Sequence, residues 1–152
     1  MITGTRQYIT FRLAKEEYAV NVAQVREVLE VPSITRVPGS PPYVRGVVNV
    51  RGQAIPVFDL RLRFGLPEVE TSLQSRILVM EVVVDGELKV LGGIADSVHE
   101  VIDIEADDMI EPPKLASRGI SDCIQGMARR GEGFIIILDA NAILFANACV
   151  GV

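Results

Sequence analysis

Histidine occurs once in the 152 residues, at His99; cysteine occurs twice, at Cys123 and Cys149; tryptophan is absent and aromatic residues make up only 5%. With one histidine, any imidazole-based triad would have to use His99. That residue sits on an alternating stretch beside acidic neighbours, the setting of a surface histidine rather than of a general base or metal ligand. The cysteines form no CxxC pair, so neither a zinc site nor a disulfide framework is expected. HExxH and the spacing of a calcium-binding loop are missing as well. Asp103, Glu105, Asp107, Asp108 and Glu111 cluster without Asp-x-Asp-x-Asp-Gly order and read as a solvated turn. Gly131-Glu132-Gly133 is too short to cradle a phosphate and joins two strand-like runs. No cofactor or metal is therefore expected. Paired carboxylates stay open as a catalytic device, because an acidic chain can bring two together in space without a signature.

Positive charge is scarce too. A net charge of −5 argues against nucleic-acid binding by bulk electrostatics. No apolar run reaches the length of a membrane span, and the first six residues lack the regions of a signal peptide. A cytoplasmic chain with no direct membrane insertion is expected. What is abundant is apolar residue, at 49%, enough to build a core for one domain or for two small barrels sharing one.

The organising stretch is 42–66. Val44, Gly46, Val48 and Val50 share one face of an extended chain, and Arg45, Val47, Asn49 and Arg51 the other. Arg51-Gly52 suits a tight turn, after which 55–58 reads as the returning strand. Pro56 has no N–H and belongs at an edge or a bulge. Asp59 is placed to cap a short helix that pairs Leu60 with Phe64 and stops at Gly65.

Before this hairpin, Ile9, Phe11 and Leu13 alternate with Tyr8, Thr10 and Arg12, and Lys15-Glu16 turns into a partner strand at 18–20. Asn21 with Gln24 suggests a capped helix whose stripe is Val22, Val25, Val28 and Leu29, ended by Pro32. Prolines at 32, 38, 41 and 42 make an extended connection. After the hairpin, 77–84 is an apolar strand broken only by Glu81, and Asp85-Gly86 is a hairpin turn. The return strand runs over 88–98, with a bulge or close backbone approach at Gly92-Gly93. A last hairpin spans 123–138, and Asp139 caps a terminal helix carrying Ile143, Leu144 and Phe145. Many short strands with few helices suggest compact barrels.

Asn49-Val50-Arg51-Gly52, followed by Ile55-Pro56-Val57-Phe58-Asp59-Leu60-Arg61, closely resembles the signature of the CheW family of chemotaxis coupling proteins, with Val50 where leucine is usual. Glu17-Tyr18-Ala19-Val20, Val25-Arg26-Glu27-Val28, Thr35-Arg36-Val37-Pro38, Gly93-Ile94-Ala95-Asp96-Ser97-Val98, and Gly126 with 134–138 extend the resemblance in order. It implies a mostly β fold of two small, SH3-like, five-stranded barrels packed together, with short helices. It also implies one CheW-like domain over 1–152. An approximate division puts 14–78 in one subdomain and 1–13 plus 79–152 in the other.

The resemblance implies a non-catalytic adaptor in bacterial chemotaxis signal transduction. One surface would take the cytoplasmic tip of chemoreceptors. Another would take the regulatory domain of the histidine kinase CheA through exposed apolar loop residues at a barrel end, residues the sequence does not name. The protein would be recruited to membrane-bound receptor arrays. A scaffold module of a non-chemotaxis kinase array, or a fragment of a larger scaffold, is the alternative within this class. A carboxylate enzyme or ligand-binding barrel using Arg51 is the alternative outside it; a deep polar pocket near Arg51 would favour that reading. Val25, Glu27 and Arg51 match family positions implicated in receptor contact. By spacing alone Val25 is also a core residue and Arg51 an ordinary turn arginine. Glu27, on the solvent side of its helix, is expected to pair with Arg51 at the hairpin tip.

Overall fold

Residues 5–111 and 123–144 are described by the computed structural model. The chain begins with β1 (Thr5–Leu13) and β2 (Glu16–Asn21), a 3-10 turn (Val22–Gln24) and β3 (Val25–Glu30). The organising hairpin is β4 (Val44–Val50) and β5 (Gln53–Asp59), followed by α1 (Leu60–Arg63). Next come β6 (Arg76–Val84), β7 (Glu87–Ala95), β8 (Ser97–Glu105), a 3-10 turn (Ala106–Asp108) and β9 (Met109–Ile110). β10 (Ile124–Arg130), β11 (Gly133–Leu138) and α2 (Ala140–Leu144) complete the described elements.

Among these residues the strands form two sheets. One has the order β3-β6-β7-β5-β4, and the other β8-β1-β2-β11-β10-β9. The mostly β, two-sheet architecture agrees with the expected fold class, and the second sheet gains a sixth strand through the two-residue β9. Local turn chemistry set the hairpins. Arg51 and Gly52 have φ of 51° and 85°, and Asp85 and Gly86 have 53° and 79°, so both two-residue loops take the positive-φ turn that matches strand twist. Asp59 caps α1 as expected, accepting from the N–H groups of Arg61 and Leu62. Pro56 also finds a compatible place. Val47 exchanges its backbone bonds with Thr35, at 2.8 and 2.9 Å, so opposite Pro56 it forms a pair without hydrogen bonds. Pairing of β5 with β7 begins only at Val57, so Pro56 is locally on an edge.

Two expectations are corrected. The helix after Asn21 is a single 3-10 turn, with Asn21 accepting from the Ala23 N–H, and 25–30 is a strand. Val-Arg-Glu-Val-Leu-Glu fits both periodicities. Pairing with β6, from Val25 opposite Met80 to Glu30 opposite Arg76, satisfies the backbone and selects the extended form. Val28, assigned to the apolar stripe, is exposed. The division at 14–78 also falls elsewhere. A cut before Ala14 would split the β1–β2 hairpin, and a cut after Leu78 would split β6. The sheets instead divide between Asn21 and Val25 and between Ala95 and Ser97.

The core has three parts. Val48, Ile55, Val57, Ile77, Val79 and Ile94 fill the five-stranded sheet's interior. Tyr8, Ala19, Ile104, Ala128, Ile135 and Ile137 fill the other. Between the sheets lies the main cluster, including Phe11, Tyr18, Leu60, Phe64, Leu78, Met80, Leu138 and Ile143. Phe11, Tyr18 and Phe64 stack there with ring centroids 5.9 and 6.1 Å apart. Successive β6 residues therefore serve two cores, which is why that strand reads as a continuous apolar run. Cys123 is buried and disulfide-bonded, whereas the absence of a CxxC pair argues against a disulfide framework; spacing along the chain does not report proximity in space. The other cysteine, Cys149, lies outside the described residues, as do Pro112 and Phe145.

Candidate functional site

β3 and β4 are the two edges of the five-stranded sheet, and the sheet's curl brings the β4–β5 tip back toward β3. The tip is fixed by its own chemistry. Asn49 Oδ1 accepts from the Gly52 N–H at 2.8 Å, holding the turn that projects Arg51. Arg51 then spans the open seam. Its Nη1 lies 2.5 Å from Glu27 Oε2 and its Nη2 2.8 Å from Oε1, a two-pronged guanidinium–carboxylate pair. The pairing expected from sequence is present, although Glu27 reaches it from a strand and not a helix.

Arg51 is 74% exposed at its side chain and Glu27 20%. Beside them lies an open cleft of about 400 Å³ lined by Arg26, Glu27, Val50, Arg51 and Gln53. Arg26 is tied to Glu81 at 2.9 Å. Val25 is not in this lining. It is half-buried and packs against the main core, with a register shift separating it from Glu27. The structure thus joins Glu27 to Arg51 and leaves Val25 alongside them, partly core and partly surface.

The Arg51 hydrogen bonds hold the Glu27 carboxyl below its ordinary value against the opposing push of desolvation, and Glu27 raises Arg51 in return. A depressed carboxyl contributes stability above its ordinary value, lost as pH falls through the folded value. The pair is exposed, so that contribution is small. In Arg51→Ala, carboxyl NMR should show Glu27 titrating higher than in the unaltered chain, with the thermal midpoint almost unmoved. An unchanged Glu27 titration would show that Arg51 does not set it.

The remaining titratable candidates are elsewhere. His99 Nε2 lies 2.8 Å from Ser97 Oγ on an exposed face, and its Nδ1 is 3.8 Å from Glu17, beyond hydrogen-bond reach. Glu17 is also 4.0 Å from Arg130, which pairs with Glu100 at 2.6 Å. Among the described residues, no group of three or more His, Cys, Asp or Glu is placed to hold a metal ion. Sequence reasoning missed two further carboxylate–guanidinium pairs, Arg45–Asp59 at 3.0 Å and Arg61–Asp96 at 2.7 Å.

A family model described as the CheW-like domain matches residues 7–147. The chain is 34% identical over 142 residues to the chemotaxis protein CheW of Bacillus subtilis, covering 93% of this chain and 88% of that protein. It is 31% identical over 137 residues to the chemotaxis protein CheW of Treponema pallidum, covering 90% and 81%. The crystal structure of the scaffolding protein TtCheW from Thermoanaerobacter tengcongensis superposes with a TM-score of 0.81 at 34% identity, covering 91% of this chain and 86% of that one.

Proposed function

The chain belongs to the family of CheW-like domains, and from that premise we propose that it is a non-catalytic adaptor coupling chemoreceptors to the histidine kinase CheA. Signal passes through such a protein by differential contact, in how the kinase is held. The observation that carries the receptor-facing assignment is the Glu27–Arg51 fork across the seam between β3 and β4. It gives an exposed cleft a fixed shape and charge pattern, with the half-buried Val25 next to it. The cytoplasmic tip of a chemoreceptor docks on this surface, and Val25, Glu27 and Arg51 are its contact residues.

The CheA regulatory domain docks at a barrel end. Val83 and Leu88, opposite one another near the β6–β7 turn and 54% and 60% exposed, supply an aliphatic pair of the kind such an interface uses. Among the described residues, no helix is long and apolar enough to cross a membrane. A cytoplasmic protein held at the membrane by receptor arrays fits the proposal.

One experiment separates the two surfaces. Receptor-containing membranes and CheA are each used to capture the full chain. Val25→Lys and the exchanged pair Glu27→Arg with Arg51→Glu should lose receptor capture at least tenfold while keeping CheA and the thermal midpoint. Leu88→Glu should do the reverse. Capture by neither partner in the unaltered chain would end the adaptor reading. A Val25→Lys chain that simply unfolds would place that residue in the core.

A further inference from the structure

A second cleft, of about 360 Å³, lies where the two sheets meet, on the side formed by β1, β8 and the start of β6. Its polar lining is Arg12, Gln74, Arg76, Ser97 and His99, with Val98 the one apolar member. In a chain with 20 acidic and 15 basic residues, this lining contains no carboxylate. We propose that this cleft is an anion site for a phosphate monoester, with Arg12 and Arg76 as its charged clamps.

The two arginines are differently prepared. Arg76 is half-buried, and its Nη1 donates to the backbone carbonyls of Leu73 and Ser75, both at 2.8 Å. Those bonds fix the guanidinium plane, and among the described residues its other nitrogens have no protein acceptor. A fork held in place loses little freedom when it takes an anion. Arg12 is exposed and stands opposite Ser97 in the β1–β8 ladder. Neither arginine is ion-paired among the described residues.

Nearby acids lie outside the lining. Glu17, opposite Arg12 on β2, is 3.8 Å from His99 Nδ1 and 4.0 Å from Arg130, so it partly offsets the positive charge on that side. Asp96, which feels Arg12 at longer range, is bound by Arg61 and by the Ala14 N–H. Glu30, opposite Arg76 on β3, makes no ion pair with it, and Glu70 lines the adjoining cleft, not this one. Ser97 and His99 complete the donor set. When His99 donates from Nε2 to Ser97 Oγ, the serine proton is free to point at an anion. The volume exceeds what a bare phosphate needs and leaves room for the esterified group, within the usual range of small-molecule sites.

The test is an NMR titration of the isotopically labelled full chain with inorganic phosphate, methyl phosphate and a phosphoserine peptide, each against chloride at matched ionic strength. Saturable shifts at Arg12, Gln74, Arg76, Ser97 and His99 are expected with both phosphate esters. Arg12→Gln should weaken binding by about tenfold, the loss expected for one charge-assisted contact, at an unchanged thermal midpoint. Arg76→Gln should weaken it at least as much, but it also removes bonds to the 72–75 turn, so Arg12→Gln is the deciding variant. Tighter binding of the peptide assigns the phosphoryl group to a protein partner, and equal binding assigns it to a small ester. Shifts that match chloride, or an Arg12→Gln chain that binds like the unaltered one, overturn the proposal.

Discussion

Replacing Arg63 with alanine is expected to cost about 4 kcal/mol, summing a lost buried side chain and an abandoned buried carbonyl. The residue has no exposed surface, although it is an arginine on the last turn of α1. Its Nε donates to the Ile143 carbonyl at 2.8 Å, and Nη2 donates to the same oxygen. That carbonyl belongs to the last described turn of α2, where carbonyls depend on partners other than the helix's own N–H groups. The guanidinium carbon also sits 4.5 Å from the Tyr43 ring centroid and 5.9 Å from that of Phe58. Burial lowers the Arg63 pKa, yet its charge stays favourable because an acceptor and two π faces surround it.

The side chain thus locks α2 onto the hairpin–helix unit that carries Arg51. Arg63→Lys should recover only part of the loss, since an ammonium cannot form the planar fork or stack on Tyr43. Arg63→Met keeps the volume and isolates the polar contribution. Denaturant unfolding of the three variants measures the series, with Arg63→Ala the weakest. An unchanged midpoint in Arg63→Ala would show that α2 is held by apolar packing alone.

What could be read from the sequence follows how local each determinant is. The β4–β5 and β6–β7 turns, the Asp59 cap and the Leu60–Phe64 pair are set within a few residues, and each was legible. Val25–Glu30 was not. Its residues suit helix and strand alike, and the choice is made by β6, some fifty positions later. The sheet membership of β2 and β7 was hidden for a related reason. β2 pairs in parallel with β11, Glu17 opposite Ile135, and β7 with β5, and no adjacent residue announces either partner. Arg51 and Glu27 could be paired in advance because the turn forces Arg51 outward and a carboxylate is its natural acceptor. Arg63 could not, since Leu60-Arg61-Leu62-Arg63 reads as a helix with a solvated basic face. The rings that receive it come from Tyr43 and Phe58, on other elements.

Gly46→Ala is expected to destabilise the protein by about 3 kcal/mol or more, combining backbone strain with overpacking. Gly46 lies in β4 at φ 144°, where the register shifts around Arg45. A Cβ there would sit 2.1 Å from the Thr35 carbonyl oxygen, 2.8 Å from its carbonyl carbon and 3.0 Å from Arg36 Cα. These are backbone atoms, so no rotamer change relieves the clash. The 31–43 connection must move, and with it the Thr35–Val47 pair that closes the outer edge of β4. That edge positions the hairpin against β3, so the damage should reach the Glu27–Arg51 fork. Gly52→Ala is the matched control. It also has positive φ, at 85°, but an added Cβ there meets nothing within 4 Å. It should therefore cost only the intrinsic penalty of a left-handed residue, about 1 kcal/mol. Chemical unfolding of both variants gives the comparison, and the Glu27 titration of a folded Gly46→Ala chain should move toward that of Arg51→Ala. Equal losses at the two positions would mean that left-handed backbone, and not the close approach of Thr35, is what demands glycine at 46.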